Sequence, residues 1–212
     1  MERDLAGRIV ALVSPTGLRT SYSYDACGRM VDVTDPAGRV TRYSYTSDFQ
    51  VATVTYPTGE TARYEYDAMG RVVLSHVPGA GVSQYRYDPC GRLVFSCDLV
   101  YGQRHFSYDL AGQLVAATNP AGGVSRYGYD RCGRLVTRTD PGGGLTTYQY
   151  NECGQMIAAT DPLGRVTEYT WDKSGTLAAI TRPDGTVVSR RLGPKGVEEY
   201  IDDQLVSRIL IT

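Results

Sequence analysis

Aromatic residues recur along this chain at a fixed interval of 21 residues, and no other feature restricts its fold as strongly. Tyr24, Tyr45, Tyr66, Tyr87, Tyr108, Tyr129, Tyr150 and Trp171 follow one another without insertion or deletion. Each has an aromatic partner two positions earlier: Tyr22, Tyr43, Tyr64, Tyr85, Phe106, Tyr127, Tyr148 and Tyr169. Directly after the pair comes Asp-x-x-Gly, as in Asp25 to Gly28, Asp67 to Gly70, Asp88 to Gly91, Asp130 to Gly133 and Asp172 to Gly175. Ten residues beyond that Gly stands a second turn signal, Pro-x-Gly, at Pro15-Thr16-Gly17, Pro36-Ala37-Gly38, Pro57-Thr58-Gly59, Pro141-Gly142-Gly143, Pro162-Leu163-Gly164 and Pro183-Asp184-Gly185. Each repeat therefore carries two turns and two runs between them.

Both turns have the chemistry of hairpin corners. Pro presets φ at the first central position and Gly supplies the positive φ that closes a short loop onto a bulge. An Asp side chain accepts from the backbone two residues on and closes the other corner. The runs between are six or seven residues long and rich in β-branched residues, as in Arg29 to Thr34 and Arg39 to Tyr45, and they predict strands. Alternation puts Thr41, Tyr43 and Tyr45 on one face and Val40, Arg42 and Ser44 on the other, so every repeat presents its aromatic pair the same way. The expected fold is all-β: tandem 21-residue hairpins in one wide antiparallel sheet. At about 4.8 Å per strand each repeat advances the sheet by roughly 10 Å. A sheet of about 20 strands must coil, close on itself or lie against something else, and no segment shows the apolar period of a covering helix.

The array is expected to run over residues 1–191, with a degenerate terminal repeat at 192–212. Arg3-Asp4-Leu5-Ala6-Gly7-Arg8 is already in register, and Leu192-Gly193-Pro194-Lys195-Gly196-Val197 keeps it with weak residues. Asp202-Asp203 is a candidate last corner. Solenoids protect their open edges with atypical caps; none is evident here, so the expectation is a piece of a larger shell or a chain that assembles with others through its edges. Two internal lapses stand out. Tyr45-Thr46-Ser47-Asp48-Phe49-Gln50 lacks both the Asp and the Gly, which should distort one corner, and Asp98-Leu99-Val100-Tyr101-Gly102 lacks the Pro and shifts the Gly by one.

Composition narrows the function classes. The net charge of −1 supplies no field to gather a nucleic acid or an anionic membrane. The 17 Tyr against 3 Phe and 1 Trp, with Lys173 and Lys195 as the only lysines, do not resemble an enzyme core. No apolar run of membrane-spanning length occurs, and Met1-Glu2-Arg3-Asp4 does not open a signal peptide.

The motif Tyr-Asp-x-x-Gly-Arg-Leu/Val-x-x-x-x-Asp-Pro-x-Gly, recurring at a 21-residue period, resembles the YD repeat of the Rhs family over nearly the whole chain. That family includes bacterial Rhs polymorphic toxins, the C components of insecticidal toxin complexes, and the teneurins of animals. The resemblance implies a coiled β-strand cocoon, which in the bacterial members encloses a C-terminal toxic domain and is delivered by contact-dependent or type VI secretion. The bacterial shells end in Asp-Pro-x-Gly-Leu with self-cleavage residues, followed by a variable toxin. Asp161-Pro162-Leu163-Gly164-Arg165 is only a repeat corner, and no toxin activity or autoproteolysis is assigned to this chain.

Candidate chemistry reduces to turn and ladder residues. Cys27, Cys90, Cys132 and Cys153 share one register position, but equivalent positions about 10 Å apart exceed the roughly 7 Å limit for a disulfide. Ala6, Met69, Ala111 and Ser174 fill the same slot, so it reads as a small turn position; Cys97 has no partner in reach, and unpaired thiols fit synthesis in a reducing compartment. The Asp ladder (Asp25, Asp67, Asp88, Asp109, Asp130, Asp172) supplies one carboxylate per corner, next to Arg29, Arg71, Arg92 or Arg134, whereas calcium needs six to eight oxygens at one point. With only His76 and His105, and no nucleophile or phosphate-loop motif, no metal, cofactor or enzyme activity is expected. Tyr faces bind sugars or peptides in other settings, which makes Tyr43, Tyr127 and Tyr148 a candidate ligand surface; the alternative is a cross-strand ladder that only holds the sheet together.

Three readings follow. The leading one is a structural segment of an Rhs-type shell, made in the bacterial cytoplasm and carried outward within a larger protein, whose partners are other repeat segments and an enclosed toxin. The second is a secreted or cell-surface carbohydrate-binding module, and the third a residual fragment of a larger Rhs protein.

Overall fold

The computed structural model describes residues 1–193 and 196–210. The chain divides into two units, Met1–His105 and Phe106–Thr212. The first unit holds β1 (Glu2–Arg3), β2 (Ile9–Val13), β3 (Arg19–Tyr24), β4 (Met30–Thr34), β5 (Val40–Tyr45), β6 (Val51–Thr55), β7 (Thr61–Tyr66), β8 (Val72–Val77), β9 (Gly81–Tyr87) and β10 (Leu93–Asp98), and takes in the start of β11 (Gly102–Tyr108). The second holds β12 (Leu114–Thr118), β13 (Val124–Tyr129), β14 (Leu135–Thr139), β15 (Leu145–Tyr150), β16 (Met156–Thr160), β17 (Val166–Trp171), β18 (Leu177–Thr181), β19 (Val187–Gly193), β20 (Gly196–Ile201) and β21 (Gln204–Leu210). Within each unit every strand pairs antiparallel with the strands before and after it. No helix occurs among the described residues.

The two turn signals build one and the same corner. At Asp25 to Arg29 the Gly28 N–H donates to Asp25 O (3.0 Å) and the Asp25 N–H to Arg29 O (2.9 Å), with Gly28 at φ +81°. At Asp35 to Arg39 the same bonds form at 2.9 and 3.0 Å, with Gly38 at φ +77°. Each is a type I turn closed by a left-handed residue that forms a bulge, a geometry whose twist matches the flanking strands. Pro36 and Pro162 occupy the first central position, where the ring's fixed φ suits the turn and no N–H is needed.

A second irregularity recurs that the turn signals do not announce. Where a short strand follows the aromatic strand, the pairing slips by one residue: Ser23 faces Asp32, but Tyr24 faces Met30. The same shift falls at Tyr45, Tyr66, Tyr129, Tyr150 and Trp171. Bulges of this kind bend a strand and strengthen its twist.

The sheet of each unit is one layer with no core beneath it. Among the described residues the strands pair only with their sequence neighbours, and one side chain reaches further, Arg19 of β3 to Glu2 of β1 at 2.6 Å. Among the described residues only Ala11, Ala62 and Phe95 are buried apolar residues, and no large side chain is fully buried. One face carries the aromatic pairs among Val, Thr, Ala and Ser. The other is polar: Ser23 bonds Asp32 (3.0 Å), Arg42 lies 3.6 Å from Asp32, and Ser44 meets Thr53 at 2.6 Å. On that face Phe95 is an exception, held under the Arg86 guanidinium (4.2 Å) and against the His105 ring (5.1 Å between centroids).

The Thr46 to Gln50 corner is not distorted, contrary to the expectation from its sequence. Phe49 N–H still donates to Thr46 O (3.2 Å) and Thr46 N–H to Gln50 O (2.7 Å), because Phe49 itself takes φ +66°. Neighbouring corners in register on both sides impose the turn on a residue that disfavours it. The Asp98 to Gly102 corner does change: three residues link the paired Asp98 and Gly102, and Asp98 Oδ1 accepts from the Val100 N–H at 3.0 Å. Its Leu99 fills the space beside Gly81, in the neighbouring corner of the same side. The terminal corner at Asp202-Asp203 forms with both residues at positive φ (+47° and +63°), while Pro194 and Lys195 lie outside the described residues.

A bulky residue in the left-handed region costs about 1–2 kcal/mol. Phe49→Gly removes that cost and loses only a loose contact with the Arg29 guanidinium, 5.2 Å away. The variant is expected to be more stable by about 1 kcal/mol in urea unfolding; a lower midpoint would show that the ring contact outweighs the backbone strain.

Candidate functional site

The aromatic pair splits into two rows with different chemistry. In the second row each ring donates to a main-chain carbonyl fifteen residues earlier: Tyr24 to Ile9 (2.7 Å), Tyr45 to Met30 (2.6 Å), Tyr66 to Val51 (2.8 Å) and Tyr87 to Val72 (3.1 Å). The second unit repeats the pattern with Tyr129 to Leu114 (2.9 Å), Tyr150 to Leu135 (2.8 Å) and the Trp171 indole N–H to Met156 (2.8 Å). The acceptor residues sit at the bulges, where the regular ladder is interrupted. Each ring thus satisfies a carbonyl of the preceding repeat. The first row behaves otherwise: Tyr22, Tyr43, Tyr64, Tyr85, Tyr127, Tyr148 and Tyr169 are half-buried, and among the described residues their hydroxyls make no hydrogen bond within the chain.

The corner Asp is the anchor of a second tie. Asp25 Oδ1 accepts the N–H groups of Cys27 and Arg29, both at 2.9 Å, while Oδ2 holds Arg29 Nε at 2.7 Å. The guanidinium, so fixed, lies over the Tyr45 ring of the next repeat at 4.8 Å and reaches Thr46 O at 3.4 Å. Arg71 repeats this from Asp67 to Tyr87 (4.6 Å), and Arg134 from Asp130 to Tyr150 (5.0 Å) with a 3.1 Å bond to Asn151 O. A guanidinium over a ring face is attracted by the ring's quadrupole and needs only a partner that fixes its plane. Where Gln replaces Arg, an amide still reaches the next repeat, and Gln50 donates to Gly70 O at 2.7 Å.

The Asp carboxyls are held below the ordinary aspartate range. For Asp25, Asp88 and Asp130 the main cause is the N–H four residues on, with the Arg side chain adding to it; at Asp67 the Arg71 side chain leads. Asp35 and Asp161 are lowered in the same way at the Pro corners, by Arg39 and Arg165. Burial pushes the hydroxyls of Tyr45, Tyr64 and Tyr129 upward, so these rings stay protonated donors.

The structure places the residues singled out in the sequence at three kinds of position. Tyr24, Tyr66, Tyr87 and Tyr129 are ties; Asp25, Asp67, Asp88 and Asp130 close corners; Gly28, Gly70, Gly91 and Gly133 supply φ between +81° and +86°. Pro36 with Gly38 and Pro162 with Gly164 close the opposite corners, and Tyr43, Tyr127 and Tyr148 fall in the row with free hydroxyls. Cys27, Cys90, Cys132 and Cys153 are free thiols at exposed corner positions. The sequence shows the corner Arg beside its Asp but not its reach into the next repeat. Nor does alternation distinguish the two aromatic rows. A signal was present: the tying row admits Trp171, which keeps a donor, while the other row admits Phe106, which has none.

These features define a class of protein, the repeat sheet in which successive hairpins are tied by side chains rather than by a core. The chain belongs to the Teneurin YD-shell family, whose model matches residues 1–186. The structure of TcdB2-TccC3-TEV is similar at a TM-score of 0.71 and 17% identity, over 92% of this chain and 12% of that one. TcdB2-TccC3-Cdc42 is similar at 0.60 and 13% identity, over 98% and 14%. The Photorhabdus luminescens Tc holotoxin pore matches at 0.54 and 14% identity, over 87% and 14%. The chain spans 12% to 14% of these structures' chains, and at such identity the likeness is one of fold. No curated protein matches the chain in sequence. The fold is that of a YD-shell repeat sheet.

Removing one tying hydroxyl leaves a carbonyl of the preceding repeat without its donor. Tyr66→Phe is expected to lower stability by about 1 kcal/mol, and Tyr64→Phe, two residues away, to leave it unchanged; equal effects in urea unfolding would refute the division into two rows. The corners also set an acid limit. Their aspartates titrate lower in the folded than in the unfolded chain, where the value is about 3.9. The unfolded state therefore binds more protons as pH falls, so this stability is fully present above about pH 5 and is lost below about pH 4. Urea midpoints should be level from pH 7 to 5 and fall between pH 4 and 3; a midpoint still level at pH 3 would contradict the assignment.

Proposed function

We propose that this chain is a wall segment of an Rhs-type shell that encloses a toxin or other polypeptide cargo, with no catalytic activity of its own. The observation that carries the proposal is the one-layer sheet with unlike faces. A layer without a core is held by nearest-neighbour ties, so its length is not limited by the volume of a core. One face carries the aromatic rows, with corner guanidinia over the second row and Arg104 and Arg138 among the rings; the other displays Asp32, Arg42, Arg63 and Glu65 among Ser and Thr, as a surface facing water does. A wall that separates a cargo from solvent needs that asymmetry. In this reading the partners are further YD-repeat segments and the enclosed chain, the protein is made in the bacterial cytoplasm, and it leaves the cell as part of a larger assembly. One of the similar structures is a Tc holotoxin pore, which agrees with this role.

The test is protease protection. Particles isolated from the native host through this chain are treated with a broad-specificity protease before and after opening in urea. A co-purified polypeptide that resists digestion in the native particle and is degraded once it is opened supports enclosure. Equal degradation in both states overturns it.

A further inference from the structure

Both inter-repeat ties lapse together at one place in the second unit. The ring donors run in series to Trp171, which bonds Met156 O; the next position, Leu192, carries no donor. Leu177, fifteen residues before it, stands at the same kind of bulge as the earlier acceptors, and no side chain among the described residues donates to its carbonyl. The corner cation is missing as well. Four residues past the corner stands Arg or Gln in every repeat from Arg8 to Gln155, but Thr at 176. Asp172 Oδ1 accepts the N–H groups of Ser174 (2.8 Å) and Thr176 (3.0 Å), so the turn closes as elsewhere. Its Oδ2, the atom that holds Arg Nε in Asp25 (2.7 Å) and Asp130 (2.6 Å), has no ion-pair partner among the described residues. Asp25 and Arg29 are half-buried, whereas Asp172 and Thr176 are exposed.

A hollow of about 640 Å³ lies beside these groups. Leu177, Ala178, Ile180 and Val188 give it an apolar lining, and Ala178 is small where Val31, Val73 and Val136 stand in other repeats. Ile180 faces Tyr169 on one side and Val188 on the other, which puts the hollow on the ring face. Arg190 and Glu199 also line it but pair with each other at 3.3 Å, so Asp172 is the one unpaired charge among its described lining residues. Hydrogen bonds from the Ser174 hydroxyl and the Thr176 N–H hold the Asp172 carboxyl below the ordinary aspartate range.

We propose that this hollow docks an Arg-x-Tyr segment of a partner polypeptide, which brings from outside the guanidinium and the phenol that other repeats supply from within. The repeats themselves define the ligand. Arg29 is gripped by Asp25 and lies over the Tyr45 ring at 4.8 Å, while the Tyr45 hydroxyl donates to Met30 O at 2.6 Å. Asp172 Oδ2 and Leu177 O are the matching acceptors, here without side-chain donors. In an extended chain residues i and i+2 point the same way about 6.8 Å apart, so a long Arg side chain can fold over a Tyr ring within the roughly 6 Å that a cation–π contact needs. Arg suits the place better than Lys, because a planar guanidinium grips a carboxylate and stacks on a ring at once. The volume falls within the range of ordinary ligand pockets, about 300–1,000 Å³. Since the ring face looks toward the cargo in the shell reading, the enclosed chain is the source of the segment, and the inference rests on that reading in this one respect.

The test uses the full chain and a dye-labelled, amidated Gly-Arg-Thr-Tyr-Gly peptide, followed by fluorescence anisotropy. Binding is expected to saturate, and peptides with Lys for Arg or Phe for Tyr are expected to bind more weakly. The variant D172N removes the charge and keeps the corner, since Asn151 closes the same turn by accepting from the N–H four residues on; it is expected to bind at least about tenfold more weakly. T176R supplies the corner's own guanidinium. It is expected to raise the urea midpoint and to weaken peptide binding by a similar factor, a pair of effects that mere damage to the fold would not produce. Absence of saturable binding overturns the proposal, as does undiminished binding by T176R. Free L-arginine binding as tightly as the peptide would assign the hollow to a small guanidinium ligand and also overturn it. Cargo protection without peptide binding would sink the docking site and leave the shell standing; peptide binding without cargo protection would do the reverse.

Discussion

One hydrogen bond holds this architecture together: the aromatic donor that reaches from each repeat to the bulged carbonyl of the one before. A single-layer sheet has no interior to bury, and burial is the dominant stabilising term in ordinary domains. What replaces it must act between neighbours. The Tyr45 hydroxyl on Met30 O, 2.6 Å long, does so while its ring covers the strand it crosses. The bulge and the tie explain each other. The bulge breaks the ladder and exposes an acceptor; the tie satisfies it from the next hairpin, so that neither feature is stable without the repeat that follows.

The corner residues extend the same logic. An Asp that only closed its own turn would serve equally well as Asn or Ser, and Asn119 and Ser14 do close turns in this chain by accepting from the N–H four residues on. Asp with Arg four residues later adds a fixed guanidinium plane that stacks on the neighbour's ring, as Arg29 does on Tyr45. Stability is then distributed as a chain of near-neighbour terms, as in other repeat proteins. That distribution accounts for Phe49: a residue unsuited to its turn is carried at φ +66° because the corners flanking it are in register.

The two faces divide the remaining work. The polar face is satisfied by short cross-strand bonds such as Ser44 with Thr53 and needs nothing further than water. The aromatic face is satisfied in one row and unsatisfied in the other.

Much of this was legible in the residues themselves. Period, strand positions, corner chemistry and the common orientation of the aromatic pairs follow from turn residues and two-residue alternation, because a hairpin is a local structure whose geometry is set by four or five consecutive side chains. The tie from Tyr24 to Ile9, the reach of Arg29 to Tyr45 and the survival of the Phe49 corner were not legible, since each depends on residues of neighbouring repeats lying side by side. The distinction between Tyr43 and Tyr45 shows the boundary most clearly. Alternation along the strand is enough to put both rings on one face. That Tyr45 is a tie and Tyr43 is free was settled by packing alone, because the difference lies in whether a carbonyl from the preceding hairpin comes within reach of the hydroxyl.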